Sequence, residues 1–219
     1  MNGVFVTGTG TEVGKTVVAG VIARTAADAG RRVSVFKPAV SGLDDTALVG
    51  AVPDHEHLRM AARSKQSDDE IAPYRFGPAV SPHHAAALED VEFDVERLRA
   101  GGAAALDDGE FCVCEGVGGF LVPLRLDYLI RDFALEMGLP VVVVASPGLG
   151  TINHTVLTLE AVRGAGLEVQ SVVLTPWRSE PTEMEISNLE AIEDLGATAV
   201  HTLRRLDPGD PATWPALAP

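Results

Sequence analysis

Val4-Phe5-Val6-Thr7-Gly8-Thr9-Gly10-Thr11-Glu12-Val13-Gly14-Lys15-Thr16 is the stretch that decides the fold of this chain. An apolar run suited to a buried strand enters a glycine-rich loop. A helical pattern begins where the loop ends in Gly-Lys-Thr. Triphosphate binding requires that order. Glycines let the backbone turn tightly, so that its N–H groups can surround phosphate oxygens. The helix starting near Lys15 adds unsatisfied N–H groups and the positive end of its dipole. Lys15 can then reach the terminal phosphates, and the Thr16 hydroxyl can ligate Mg²⁺. The common form of this loop has four residues between its outer glycines, whereas five separate Gly8 from Gly14 here.

Outward from the loop, short β-branched runs alternate with longer helical patterns. This predicts an α/β fold: a mostly parallel sheet with helices on both faces, in a three-layer sandwich. Strands are expected at 3–7, 33–37, 111–115, 141–145, 169–174 and 198–202. Val141-Val142-Val143-Val144 reads as a strand covered on both faces. The first helix, Lys15 to about Ala29, carries Val18, Val21, Ile22 and Thr25 on one face and stops at Gly30. A second starts near Thr151. Residues 43–108 read as a largely helical, polar excursion between two strands, covering one side of the site. Residues 1–206 are expected to form a single domain and 207–219 a proline-rich tail. That tail is irregular or disordered unless Trp214 pins it to the surface.

The chain has 219 residues, 46% of them hydrophobic and 22% charged, which suits a globular protein with a sizeable core. Its net charge of −14 disfavours a nucleic-acid or anionic-membrane surface. A bound polyanion needs local positive potential, and lysine is scarce. Only Lys15, Lys37 and Lys65 stand against 14 arginines, so Lys37, at a strand end in Phe36-Lys37-Pro38, is a candidate for site chemistry. Cys112 and Cys114 fall on one face of a strand, too close along the backbone for an ordinary disulfide. They read as buried small hydrophobes of a reduced, cytoplasmic protein. The first strand begins at once, leaving no expected signal peptide, and no apolar run is long enough to span a membrane.

Ligands of open α/β sheets bind at the carboxyl ends of the strands, and the chemistry-bearing residues gather there. The second strand delivers Lys37 to Gly42, the third Glu115-Gly116-Val117-Gly118-Gly119, and the fourth Ser146 to His154. Glu115 is placed to act as a Mg²⁺ ligand beside Thr16. Asp54 is either a second metal ligand or a helix N-cap. His55 and His57 lack helical zinc spacing and are expected to be solvated. Ser81-Pro82 reads as a helix start. Free N–H groups at Gly150-Thr151-Ile152-Asn153 can bind an anion such as a carboxylate, and Thr151 can also simply cap that helix.

Taken together, these motifs closely resemble dethiobiotin synthetases over residues 1 to about 200. The long loop, Lys37-Pro38, Ser81-Pro82-His83, Glu115–Gly119 and Gly150–His154 occur in that family's order. The resemblance implies that 7,8-diaminononanoate and CO₂ are joined at the expense of ATP, with Mg²⁺, to close a ureido ring. It implies that Lys15 and Lys37 stabilise the carbamate and the transferring phosphoryl group. Thr16, Asp54 and Glu115 are implied to hold the metal. Nucleotide contacts are implied for Glu12, Val13, Gly14, Lys15, Thr16, Val17, Glu115, Gly116, Val117, Gly118, Thr175 and Pro176. Thr11, Glu12, Lys37 and Ser41 are implied to line the substrate side. Gly150, Thr151, Ile152 and Asn153 are implied to bind the substrate carboxylate from the other subunit of a homodimer. Two positions depart from the family pattern. Thr175-Pro176 stands where an asparagine reads adenine, and Leu203-Arg204-Arg205 replaces a proline-containing base loop. These departures predict relaxed choice among nucleoside triphosphates.

The alternative within the superfamily is a partitioning or positioning ATPase acting as a switch. Such proteins carry a signature Lys early in the loop, where this chain has Thr7-Gly8-Thr9-Gly10. It also shows no basic or amphipathic membrane-targeting tail. An amidotransferase reading lacks a glutaminase segment.

Overall fold

The computed structural model describes residues 2–45, 52–207 and 211–218. Six strands build the main sheet: β1 (Gly3–Gly8), β2 (Val33–Phe36), β3 (Phe111–Glu115), β6 (Val141–Ala145), β7 (Val169–Trp177) and β8 (Val200–Arg204). A short antiparallel hairpin, β4 (Pro123–Arg125) and β5 (Tyr128–Leu129), lies between β3 and β6 in the chain. The sheet order is β2-β3-β1-β6-β7-β8, and every pair in it is parallel. From β1 the chain crosses to one side of the sheet and later returns to the other. All loops at the carboxyl ends of β1, β2, β3 and β6 therefore open on one edge, the usual ligand crevice.

Alternation along the strands divides the core in two. Val4, Val6, Val142 and Val144 face α1 (Lys15–Asp28), α2 (Asp54–Ala62) and α3 (Asp68–Ile71). Phe5, Cys112, Cys114, Val141 and Val143 face the other layer. That layer comprises α4 (Pro82–Leu88), α5 (Val95–Asp108), α6 (Ile130–Met137), α7 (Thr151–Gly164) and α8 (Glu183–Gly196). Both cysteines are buried and unbridged, as small hydrophobes of the second layer.

The expected strands are present, with shifts at their ends. The last begins at Val200 instead of 198, because Ala197 closes α8 in the left-handed region at φ 43° and the chain is still turning. β7 continues past Leu174 to Trp177. β2 ends at Phe36, leaving Lys37 just beyond the pairing. The β4–β5 hairpin, α6 and α8 are additions to the sequence reading. Of the 43–108 excursion, residues 46–51 lie outside the described residues, as do 208–210 and 219 of the tail. The described tail, residues 211–218, forms a 3₁₀ turn at Pro211–Thr213 and then packs on α1 through the buried Leu217.

Candidate functional site

β1 hands the chain to the loop, where the Thr9 N–H still donates to the Val144 carbonyl at 3.0 Å. Glu12 (φ 59°) and Gly14 (φ 95°) adopt left-handed backbone, turning successive N–H groups inward. Gly14 is required twice over: its φ suits glycine, and a Cβ there would lie 2.7 Å from the Thr175 methyl. No side chain among the described residues caps α1, whose N-cap position is Gly14. Its first N–H groups therefore face the cavity mouth.

That mouth opens into a cavity of about 650 Å³ lined by Thr11, Glu12, Gly14, Lys15, Thr16, Val17, Lys37, Ser41, Asp54, Glu115, Val117 and Gly118. Val40, of the Lys37 to Gly42 segment, also lines it, as do Asp45, Val80, Ser81, Pro82 and Val122, which no site motif in the sequence marks as cavity residues. The pairing of β1 with β3 brings Glu115 opposite Val6, beside the loop. Val13, Gly116, Thr175 and Pro176 stay outside this cavity. Gly116 is buried against Phe5 and Ile130, while Thr175 lies under Gly14. Gly150, Thr151, Ile152 and Asn153 also lie outside it, at the start of α7, with Gly150 and Asn153 exposed. Gly150 holds the N-cap position, and the Thr151 side chain is buried within 3.4 Å of Thr155 Oγ1.

At the cavity floor Lys37 is 3% exposed and Glu115 is fully buried. The Lys37 ammonium donates to Asp54 Oδ2 at 2.5 Å and Glu115 Oε1 at 2.6 Å. The Thr16 hydroxyl donates to the same Glu115 oxygen at 2.8 Å. Lys15 donates to the Gly10 carbonyl at 2.7 Å. Burial alone would lower the Lys37 pKa, but the Asp54 and Glu115 carboxylates overcome it and hold the ammonium well above its ordinary range. Burial also works to raise Asp54, and the Lys37 charge reverses this, so its carboxyl is lowered. For Glu115 burial prevails and the pKa is raised. Lys15, desolvated and only partly compensated by Glu115, is lowered to about 8. Losing one partner of so buried an ion pair typically costs about 3–5 kcal/mol.

Among the described residues no cluster of three or more His, Cys, Asp or Glu could hold a metal by itself. Mg²⁺ seldom needs such a cage, since one or two carboxylates, waters and substrate phosphates suffice. Thr16, Asp54 and Glu115 supply hard oxygen donors, and Glu115 Oε2 is buried without a hydrogen-bond partner among the described residues. The lining also holds the carboxylates of Glu12, Asp45, Asp54 and Glu115 against the ammoniums of Lys15 and Lys37. Such a cavity favours a polyanion only when a cation accompanies it. The donor set fits a hard divalent ion.

Asp54 is the first residue of α2 and not its N-cap, which is Pro53. His55 and His57 are buried, at 4% and 5% exposure, contrary to the solvated reading. The face of α2 carrying Leu58 and Ala61 packs on α1 and takes the histidines inward with it. Ser81 holds the N-cap position of α4 with Pro82 following, although its side chain makes no capping bond. A second cavity, of about 730 Å³, lies past Thr175, lined by Pro147, Pro176, Trp177, Arg178, Glu185, Arg204 and Arg205.

Fold and site define a P-loop nucleotide-binding protein of the doubly wound α/β class. The solved structures agree on the fold. A MinD septum site-determining protein from Pyrococcus horikoshii, complexed with Mg-ADP, superposes with a TM-score of 0.57 at 17% identity. That match covers 91% of this chain and 79% of the other. The MinC:MinD cell division complex of Aquifex aeolicus gives 0.55 at 14% identity, with the same coverage. Sequence relatives are more specific. A family model described as an AAA domain matches residues 2–206. An ATP-dependent dethiobiotin synthetase of Anaeromyxobacter dehalogenans is 42% identical over 88% of this chain and 84% of its own length. That of Bacillus subtilis strain 168 is 35% identical over 89% and 83%. The Bacillus cereus strain B4264 protein is 37% identical over 91% and 81%. This chain belongs to the family of ATP-dependent dethiobiotin synthetases. No helix among its described residues is long and apolar enough to cross a membrane.

Proposed function

We propose that the chain carboxylates 7,8-diaminononanoate with CO₂ and closes the ureido ring of dethiobiotin, converting a nucleoside triphosphate to diphosphate and phosphate. One observation carries the reading beyond nucleotide binding: a buried lysine outside the loop, Lys37, lies on Glu115 and Asp54 in the loop's own cavity. One amine adds to CO₂ and loses a proton, giving a carbamate. A carbamate oxygen attacks the γ-phosphorus and the diphosphate leaves, giving a carbamic–phosphoric anhydride. The second amine then attacks the carbamoyl carbon, phosphate departs and the ring closes.

Positioning and charge neutralisation carry most of such a phosphoryl transfer. Lys37 stabilises the carbamate, and Lys15 with the loop N–H groups stabilises the transferring phosphoryl group. Thr16, Asp54 and Glu115 would hold Mg²⁺, which would supply neutralisation of phosphate charge. Thr11, Glu12 and Ser41 line the substrate side. Glu12, Gly14 to Val17, Glu115, Val117 and Gly118 contact the nucleotide from this cavity, and Pro176 contacts it from the neighbouring one. Gly150, Thr151, Ile152 and Asn153 receive the substrate carboxylate in the cavity of a second copy, so the working unit is a homodimer. Their position outside the cavity of their own chain, with Gly150 and Asn153 exposed, supports that assignment. Incubation with diaminononanoate, ATP, Mg²⁺ and ¹³C-bicarbonate tests the reading. The expected product is dethiobiotin labelled at the ureido carbon, and its absence with folded, nucleotide-binding protein would refute it.

A further inference from the structure

His55-Glu56-His57 takes no part in the chemistry above, yet the fold buries both histidines. His57 lies on α2 one turn after Asp54, on the same side of the helix. Its ring stacks on Trp214 of the carboxyl-terminal segment, with centroids 5.2 Å apart and planes at 27°. α1 makes room for the pair at Gly20, where a Cβ would stand 2.6 Å from His57 Nε2 and 3.4 Å from the Trp214 ring. Glycine weakens a helix interior relative to alanine, so the notch marks a close approach the fold requires. Trp214 is anchored in turn: its indole N–H donates to the Asp207 carbonyl at 2.8 Å. Three residues on, the Leu217 N–H donates to Thr25 Oγ1 at 3.0 Å, and the Leu217 side chain is buried against α1. The end of the chain thus crosses α1 and grips α2 one turn from the carboxylate that meets Lys37. Burial lowers the His57 pKa, and the Asp54 and Lys37 charges both reach the ring.

We propose that residues 211–218 form a positioning strap: through His57, Trp214 holds the first turn of α2 so that Asp54 stays on Lys37. The inference rests on reading Lys37 and Asp54 as part of the reacting centre. Trp214 and His57 are positioning residues, since neither lines the cavity.

The test uses the full-length chain with Trp214→Ala, Trp214→Phe and Gly20→Ala, and Ile192→Val as a control in the opposite core layer. Amide exchange from His57 to Ala61, the first hydrogen-bonded amides of α2, is read on nucleotide-free protein, beside kcat, KM and melting temperature. Trp214→Ala is expected to speed exchange there about tenfold, as freed local structure does. It should lower kcat about tenfold while nucleotide KM stays within about twofold, the split expected when positioning and not binding is lost. Trp214→Phe keeps a flat ring and should restore both. Gly20→Ala fills the notch and should reproduce the exchange effect. Ile192→Val should lower the melting temperature and leave exchange in α2 unchanged. Wild-type exchange in Trp214→Ala and Gly20→Ala, or a parallel rise in Ile192→Val, would overturn the strap. If the wild-type chain shows no diaminononanoate-dependent turnover, the proposed reaction fails, and the exchange comparison still decides the strap.

Discussion

Lys37 shows how one residue combines structure and chemistry. Its ammonium is buried between Asp54 and Glu115, so it is charged before any substrate arrives. Lys37→Gln should lower ring closure by about 10³-fold or more, the scale set by losing a preorganised charge. Nucleotide affinity should change only a few fold. Turnover near wild type would remove the carbamate role, and a melting curve separates that from misfolding. Lys15 differs, since burial lowers its pKa from the ordinary 10.5 to about 8. Between these values the unfolded chain holds a proton that the folded chain has lost, so this residue makes stability rise with pH across that window. Triphosphate binding favours the charged form and runs the other way. Nucleotide Kd should weaken above about pH 8, by up to about tenfold per pH unit, and Lys15→Gln should flatten the profile. A flat wild-type profile would contradict this. Lys37 was legible in the sequence through the scarcity of lysine, and Glu115 through its place at a strand end. The burial of His57 was not, because it depends on Gly20 and Trp214, far away in the chain.

Among the elements, the strands announce themselves best. β1, β3 and β6 are continuous apolar runs covered on both faces, and the sequence places them within a residue. Strand ends set by tertiary pairing are less visible. β8 follows the register Val172↔Val200, and β7 runs on to Trp177 through pairing with Arg204. The β4–β5 hairpin is too short to show a periodicity. The carboxyl ends of β7 and β8 also frame the arginine-lined cavity beyond Thr175. If the loop takes the phosphates, the base falls to these strand ends, where Thr175-Pro176 and Leu203-Arg204-Arg205 depart from the family pattern. Turnover with ATP, CTP and GTP should therefore agree within about tenfold, a difference of about 1.4 kcal/mol. An ATP preference above about a hundredfold would contradict relaxed base choice.

At the scale of the whole molecule, the crevice lies where the crossovers from β1 diverge, and parallel strands deliver loop, lysine and carboxylate to one edge. Gly150 to Asn153 start α7 outside that cavity, so the proposed carboxylate contact needs a second copy of the chain. Lys37→Gln and Asn153→Ala chains should each be weak alone, and mixing them should restore about a quarter of the sites when subunits exchange freely in a two-fold dimer. No gain on mixing would mean that each chain works alone. The family's central reaction separates a synthetase from a switch ATPase of the same fold, since only the synthetase needs its organic substrate before phosphate leaves. The most direct measurement is phosphate release from Mg-ATP with and without diaminononanoate plus bicarbonate. Release that depends on both additions, matched by dethiobiotin formed in equal amount, is the predicted result. Release at the same rate without them would contradict a synthetase and favour a switch ATPase.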